Sequence, residues 1–309
     1  MPNALRLETM SPELLTVAER AKREPDGQFH AVAHFIDVPA LTRASRRLRK
    51  KAAVGGDGIT KEDYGQDLEH KLQSLHHRLK MQRYRHQPIL RGYVPKGQGQ
   101  HRPIGISATE DKVVQGALRD MLEAIDETEF LESSYGFRPK RGAHDALRTL
   151  DRAGQGGAMN WIVEADIVSY VDSVDRTKLT EMIQKRVADG AFMRLIGTCL
   201  NVGVLDGEGY SEPDVGTAQG SVLSPLLGNI DLHDVLDLWV ESDVTPHLRG
   251  TSIFVRSCDD FIFGFEHQDD AEWVLMLLGK RLEMYGLTLH PDKTRLVDFE
   301  RPSKGQQAG

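Results

Sequence analysis

Two adjacent acidic residues, Asp259 and Asp260, stand in the stretch SIFVRSCDDFIFGF between two runs of apolar residues. The flanking runs are rich in isoleucine, valine and phenylalanine, and the residues between them are polar, which is typical of a strand, a tight turn and a returning strand. Carboxylates side by side at a hairpin tip repel each other unless a cation neutralises them, and Mg2+ suits such a place. A solvated polar turn is the alternative interpretation of the pair taken alone.

A third acid, Asp166, lies at the polar end of the segment WIVEADIVSYVDSVD, which has the apolar density of a buried strand. The separation of 93 residues between Asp166 and Asp259 leaves enough chain for the two strands to lie side by side. Three carboxylates at one sheet edge would hold two Mg2+ ions about 3.5 to 4 Å apart, which is the arrangement for an in-line phosphoryl displacement. Spacing alone does not show that the three side chains meet.

The surrounding elements follow from hydrophobic periodicity. Leucines recur at helical spacing from Leu68 to Leu79, which predicts an amphipathic helix that stops before Pro88. Further helices are predicted over 109–130 and 142–153, and hairpins over 89–107, 252–265 and 287–299. Helices and strands in a non-alternating order predict an α+β fold.

Composition limits the classes of function. The 309 residues carry a net charge of -7, but residues 1–102 have a balance of +8 and residues 103–309 a balance of -15. Eight cations lie between His70 and Thr109 without one acid, which predicts a phosphate-binding face, with a solvated helix surface as the alternative. Two cysteines are too few for a disulfide framework. The absence of a signal peptide and of a long apolar run predicts a cytoplasmic protein without membrane partners. The absence of a GxxxxGK[ST] loop and of an HExxH motif excludes P-loop nucleotide-binding enzymes and HExxH zinc enzymes.

Seven blocks of the chain, in order, resemble the reverse transcriptase domain of group II intron-encoded proteins. The resemblance covers residues 54 to 299, and the blocks are VGGDGIT, YVPKGQGQHRPIGI, SYGFRPKRGAHDAL, ADIVSYVDSVD, GTAQGSVLSPLLGNIDLH, VRSCDDFIF and LHPDKTRLVDF.

This resemblance implies a right-hand polymerase fold with fingers and palm. We expect residues 1–53 to be a basic helical extension and 54–309 to be the reverse transcriptase domain. Within that domain, the fingers would span about 54–107 and 172–220 and the palm about 108–171 and 221–309. The thumb would be missing, because the chain ends just after the palm. We therefore expect either weak affinity for the template and primer or a protein partner that supplies the thumb.

The resemblance also implies the chemistry. Asp166, Asp259 and Asp260 would be the catalytic carboxylates and the ligands of two Mg2+ ions. The reaction would be transfer of a nucleotide from a dNTP to a primer 3′-hydroxyl on an RNA template, and intron RNA is a further expected partner. A non-catalytic RNA-binding maturase remnant is one alternative, and a reverse transcriptase associated with phage defence or CRISPR is another.

Five residues would bind the incoming nucleotide by the same resemblance: Lys96, Arg102, Arg138, Val171 and Gln219. Lysine and arginine suit the triphosphate because phosphate oxygens accept charge-assisted hydrogen bonds. Alternatives stay open for three of them: an exposed loop cation for Lys96, a structural ion pair for Arg138, and a simple connecting turn for Gln219.

The sequence departs from the family pattern near these residues. Ser257 and Cys258 replace the usual Tyr-Ala before the acids, and Tyr170 and Val171 replace Phe-Phe. Val171 is smaller than Phe, so we expect weaker exclusion of ribonucleotides. Further changes at Val168, Ser169, Ala218 and Asp231 indicate a specialised or a decaying enzyme.

Overall fold

The computed structural model of the chain describes residues 10–97, 99–156, 159–207, 209–212, 215–217 and 220–299. These residues form two compact units. Unit 1 comprises residues 130–170 and 231–299, and unit 2 comprises residues 10–129 and 171–230. The mixture of helices and strands confirms the α+β class. The division into an N-terminal extension, fingers and palm stays a prediction.

The helices are α1 Pro12–Arg23, α2 Val38–Arg47, α3 Lys61–Gly65, α4 Leu68–Lys80, α5 Thr109–Asp126, α6 Ala143–Gly156, α7 Tyr170–Ser173, α8 Arg176–Arg186, α9 Gly190–Leu200, α10 Ser224–Leu232 and α11 Gln268–Glu283. The strands are β1 Ile89–Gly97, β2 Gln100–Ile106, β3 Trp161–Asp166, β4 Val204–Asp206, β5 Gly209–Ser211, β6 Ser252–Ser257, β7 Asp260–Phe265 and β8 Arg295–Asp298. Short 3-10 turns lie at Ala33–Phe35 and Thr245–His247, and π-helical turns at His233–Asp237 and Val240–Val244. Across the described part of the chain, no helix is both long and apolar enough to cross a membrane.

Unit 1 is built on an antiparallel sheet in the order β6-β7-β3-β8. Strands β6 and β7 form the predicted hairpin over 252–265. Phe261, Phe263 and Phe265 of β7 are buried, because alternate residues of a strand face the same side. Burying each one stabilises the fold by about 1.5–3 kcal/mol. A slip of one residue would expose all three, so this packing fixes the register of β7 and the position of Asp260 at its start.

Unit 2 contains a second sheet in the order β2-β1-β4-β5. Strands β1 and β2 form the antiparallel hairpin predicted over 89–107, and β4 pairs with β1 in parallel. Helix α5 is buried along most of its length and contacts α1 and α2. A helix that is buried on nearly all sides lies in the core of its unit.

Asp189 joins the start of α9 to the segment before α2. Its Oδ1 accepts the N–H groups of Ala191 and Phe192 at 2.9 and 3.2 Å, and its Oδ2 accepts those of Val32 and Ala33 at 2.7 and 2.8 Å. Burial by itself would raise the pKa of this carboxyl. The four N–H donors outweigh burial and lower its pKa, because they stabilise the charged form.

Helix α4 spans Leu68–Lys80 and stops before Pro88, as the leucine spacing predicts. Gln82 adopts a left-handed φ of 57°, and the N–H groups of the next two residues bond to the carbonyl of Arg78 at 2.8 and 3.2 Å. These bonds satisfy the helix end and close it.

The hairpin predicted over 287–299 is wrong. Only β8 forms in this stretch, and it pairs with β3 rather than with a strand of its own. Leu289 makes a single bridge to Ile167, and a turn separates it from β8. One edge of β3 pairs with β7, so its other edge is open. Strand β8 pairs with that edge rather than with a neighbouring segment of its own stretch.

Some arginines of the basic N-terminal third, residues 1–102, pair with acids that lie further along the chain. Arg78 pairs with Glu110 at 2.8 Å, and Arg47 pairs with Asp120 at 2.5 Å. Arg78, one of the eight cations of the predicted phosphate-binding face, therefore also stabilises unit 2 through an ion pair.

Candidate active site

The three predicted carboxylates lie on neighbouring parts of the unit 1 sheet. Asp166 ends β3 and stands opposite Asp260, the first residue of β7, in the strand register. Asp259 precedes Asp260 in the turn that joins β6 to β7. The antiparallel pairing therefore brings an acid from one part of the chain beside two acids from a distant part.

The charges of these residues affect one another. Burial raises the pKa of Asp260, and the negative charges of Asp259 and Asp166 raise it further. The pKa of Lys293 is raised chiefly by its hydrogen bond to Asp166, with smaller contributions from Asp260 and Asp259. The cluster thus carries an excess of negative charge that favours a cation.

Lys293 is a residue of this cluster that the sequence analysis did not single out. Its ammonium donates to Oδ2 of Asp166. The backbone N–H of His290 also bonds to the carbonyl of Asp166, at 2.8 Å, which holds the lysine-bearing loop beside β3. This lysine lies in the block LHPDKTRLVDF, which resembles the same domain as the blocks that carry the acids. A cation in that block was the sequence feature that could have indicated Lys293 as a site residue.

The donor chemistry fits a divalent metal, because carboxylate oxygens are the ligands that Mg2+ prefers. However, no three His, Cys, Asp or Glu side chains within the described ranges are grouped so that they could hold a metal ion as they stand. The ammonium of Lys293 occupies the carboxylate of Asp166 instead. Metal ligation by Asp166, Asp259 and Asp260 therefore stays a prediction.

A cavity of about 440 Å3 lies beside the carboxylates within unit 1. Asp166, Asp260 and Lys293 line one part of it, and Ala143 and Leu147 of α6 line another. The acids are thus reachable from a space large enough for a ligand, since small-molecule sites usually measure about 300–1,000 Å3.

The turn that carries Asp259 has an unusual backbone. Cys258 adopts a left-handed φ of 63°, which is uncommon for a residue with a side chain. Gly136 lies so close that a Cβ on it would stand 2.5 Å from the nitrogen of Cys258. The glycine of the SYGFRP block is therefore required where it abuts the carboxylate-bearing turn.

Arg256 holds the same turn through hydrogen bonds of its side chain. Its side chain is fully buried and donates from Nε and Nη2 to the two carboxylate oxygens of Asp237, at 2.7 and 2.6 Å. The guanidinium also donates to the Cys258 carbonyl at 3.1 Å and to the Ser134 hydroxyl at 2.9 Å. Arg256 thus ties the turn to two other segments of unit 1, because its five donors are held in a rigid fork.

Arg138, a predicted nucleotide-binding residue, is buried in unit 1. Its guanidinium donates to the carbonyls of Phe130, Leu131 and Ser134. These bonds hold the loop before the SYGFRP block, so the side chain has a structural task there. Its role in nucleotide binding stays a prediction.

Two departures from the family pattern contact each other. The hydroxyl of Tyr170 donates to Oδ2 of Asp231 at 2.8 Å, and both residues are buried. Burial raises the pKa of Tyr170 well above its ordinary value, and Asp231 raises it further, so the phenol keeps its proton. These two departures therefore satisfy each other's hydrogen bonding, because the phenol donates to the buried carboxylate.

The remaining predicted residues lie in unit 2. The backbone of Lys96 belongs to β1, and Arg102 is an exposed residue of β2 paired with Val94. Val171 is partly buried in α7, and its carbonyl accepts the N–H of Thr217 at 2.7 Å. Gln219 and Ala218 lie outside the described residues.

The described parts of the loop around Gln219 are held by unit 2. Arg176 donates to the carbonyls of Gly216 and Val215 at 2.7 and 3.2 Å. On the other side, the N–H of Val222 donates to the amide oxygen of Gln115 at 3.2 Å. The described flanks of this loop thus have hydrogen-bond partners within unit 2.

Comparison with known proteins identifies the family of the chain. The chain matches the family described as reverse transcriptase (RNA-dependent DNA polymerase) over residues 94–304. Protein YkfC of Escherichia coli (strain K12) is 35% identical over 226 residues, which cover 71% of this chain and 59% of that protein. Group II intron-encoded protein LtrA of Lactococcus lactis subsp. cremoris is 32% identical over 297 residues, which cover 92% of this chain and 49% of LtrA.

The chain thus spans 59% and 49% of the lengths of these two relatives. A solved structure of telomerase from Candida albicans, in complex with a fragment of telomeric RNA, superposes with a TM-score of 0.54 and 16% identity. It covers 72% of this chain and 43% of the telomerase chain, and at this identity the likeness concerns the fold alone. The chain therefore belongs to the reverse transcriptase (RNA-dependent DNA polymerase) family, and group II intron-encoded proteins are among its relatives.

Proposed function

We propose that the chain is an RNA-directed DNA polymerase of the group II intron type that acts in the cytoplasm. It extends a primer 3′-hydroxyl with dNTPs on an RNA template, and intron RNA is a further partner. The observation that carries this proposal is the register that sets Asp166 opposite Asp260, beside Asp259.

Reverse transcriptases use divalent metal ions, and we assign two Mg2+ ions to Asp166, Asp259 and Asp260. When bound, the ions would supply charge stabilisation to the attacking and leaving oxygens of the phosphoryl transfer. The protein's own part is to hold the three carboxylates on a fixed edge. Metal binding would compete with Lys293 for Asp166, since the ammonium already bonds to that carboxylate.

The nucleotide side of the site is assigned by resemblance. Lys96 and Arg102 would bind the triphosphate, Val171 would contact the sugar, and Gln219 would pack against the incoming nucleotide. Arg138 would line the nucleotide or template site from its buried position, where its side chain also holds the preceding loop.

Primer extension on an RNA template with Mg2+ tests the proposal. Asp259→Ala should abolish product, because a metal ligand is lost. Asp151→Ala, which removes an exposed carboxylate of α6, should leave extension unchanged. Absence of product with the unsubstituted chain, or equal product with Asp259→Ala, would contradict the proposal.

A second candidate is a non-catalytic maturase remnant that binds RNA without copying it. The contact between Lys293 and Asp166 favours it, because the ammonium takes the place expected of a metal ion. RNA binding that is retained by the unsubstituted chain, with no extension at any Mg2+ concentration, is the result that this candidate requires.

A further inference from the structure

Unit 2 encloses a cavity of about 490 Å3 that has no part in the proposed polymerase chemistry. Its walls are the 3-10 turn before α2, the C-terminal end of α4 with the loop that follows, and one side of α9. This volume lies in the range of about 300–1,000 Å3 that is usual for small-molecule sites. The chemistry of its walls can therefore be used to identify a ligand.

The floor of the cavity is apolar and rigid. Ile36, Leu79 and Tyr84 line it and are 3%, 8% and 3% exposed. The hydroxyl of Tyr84 is fixed by a hydrogen bond to Asp111 at 2.5 Å, so the ring is held in one orientation. A floor of this kind suits a flat apolar group such as a nucleobase, because burial of its faces is favourable.

The rim is cationic. Lys80, Arg85 and Arg194 line the cavity and are exposed, and each comes from a different part of unit 2. In contrast to Arg78 and Arg47, which pair with acids, these three have no carboxylate within salt-bridge distance among the residues that the structure describes. Convergent cations without an acidic partner suit a phosphate group, which accepts charge-assisted hydrogen bonds.

One acid completes the lining. Oδ1 of Asp37 accepts the N–H of Ala40 at 2.8 Å and so caps α2. A carboxylate has two oxygens with several acceptor positions, so Asp37 keeps capacity for a hydroxyl donor. A ribose offers such hydroxyls, whereas an acid at this place would repel a second phosphate.

We propose that this cavity binds a ribonucleotide, with its phosphate at Lys80, Arg85 and Arg194, a ribose hydroxyl at Asp37 and its base on the apolar floor. The nucleotide is either a free mononucleotide or an unpaired nucleotide of an RNA chain, since both present the same groups. The site goes beyond the polymerase function and does not depend on it.

Calorimetric titration of the full chain with 5′-AMP tests the proposal. EDTA is present throughout, so that metal-dependent nucleotide binding does not contribute and failure here leaves the polymerase proposal untouched. Arg85→Gln and Arg194→Gln should each weaken binding by about tenfold, because a charge-assisted hydrogen bond is lost. Arg83→Gln is the matched control: it removes an exposed arginine of the same loop that does not line the cavity.

Asp37→Asn tests the ribose contact without removing the helix cap, because asparagine caps helices as well as aspartate. It should lower the affinity for AMP and leave the affinity for 2′,3′-dideoxy-AMP unaltered. Thermal unfolding of each variant checks that unit 2 remains folded.

A short single-stranded oligoriboadenylate distinguishes the two sources. If the oligonucleotide binds and AMP does not, and Arg85→Gln and Arg194→Gln weaken it more than Arg83→Gln, the ligand is a nucleotide of RNA. If AMP also binds with the same pattern, a free nucleotide is sufficient. If neither ligand separates the two cavity variants from Arg83→Gln, the proposal is wrong.

Discussion

The buried pair of Arg256 and Asp237 allows a quantitative prediction about unit 1. Asp237→Asn removes one negative charge and keeps the shape of the side chain. Burial by itself would raise the pKa of Asp237, but the charge of Arg256 and its hydrogen bonds outweigh burial and lower that pKa. The aspartate is therefore ionised in the folded protein at neutral pH, and the substitution removes its counter-charge from the buried guanidinium of Arg256.

The expected loss is large. Both side chains are fully buried, so solvent does not screen the pair. Removing one partner of a buried ion pair costs about 3–5 kcal/mol, because the remaining charge stays desolvated. Proteins of this size are stable by about 5–15 kcal/mol, so Asp237→Asn should consume about a fifth or more of the free energy of unfolding.

Urea unfolding followed by tryptophan fluorescence measures this loss directly. The three tryptophans, Trp161, Trp239 and Trp273, all lie in unit 1, so the signal reports on the unit that contains the pair. Asp269→Asn is the matched control, because Asp269 pairs with Arg249 at 2.7 Å while both side chains are well exposed. It should cost less than about 1 kcal/mol.

Equal losses for Asp237→Asn and Asp269→Asn would contradict the reasoning, since burial would then have no effect. The double substitution Arg256→Met with Asp237→Leu separates stability from positioning. It should recover much of the stability, because apolar residues of similar size replace buried ion pairs well. Primer extension should stay reduced, because the Cys258 carbonyl has lost its donor next to Asp259.

Three further predictions concern other parts of the molecule. Tyr170→Phe should lower the free energy of urea unfolding by about 1–3 kcal/mol, because it removes the hydroxyl that donates to the buried carboxylate of Asp231. Adding Asp231→Asn should return part of that loss. Additive losses in the double variant would contradict the pairing. Val171→Phe should raise the preference for dNTPs over rNTPs in single-nucleotide extension, because a larger side chain excludes the 2′-hydroxyl, and an unchanged ratio would count against this role. Asp189→Asn should destabilise the fold by about 1–3 kcal/mol at neutral pH. Because the folded pKa of Asp189 is lowered, the stability that its carboxylate contributes is present above the ordinary carboxyl pKa of about 4 and is lost as the pH falls through the folded pKa. The denaturation curves of the unsubstituted chain and the variant should therefore converge in acid.

Local patterns predicted much of the fold. The hairpin around Asp259 and Asp260 and the hairpin at 89–107 formed as expected, because alternating or clustered strand-forming residues around a polar turn leave few other arrangements. The hairpin predicted over 287–299 was wrong, since β8 pairs with the open edge of β3 instead of with a local partner. That edge has no local signature in the residues concerned.

The sequence by itself determined the elements, the acidic pair at a hairpin tip and the family to which the chain belongs. Only the tertiary structure placed Asp166 opposite Asp260, set Lys293 on Asp166 and joined Tyr170 to Asp231, which are 61 residues apart. Such contacts depend on strand register and on packing between distant segments. A local pattern records which face of an element is buried, but it does not record which distant side chain meets that face.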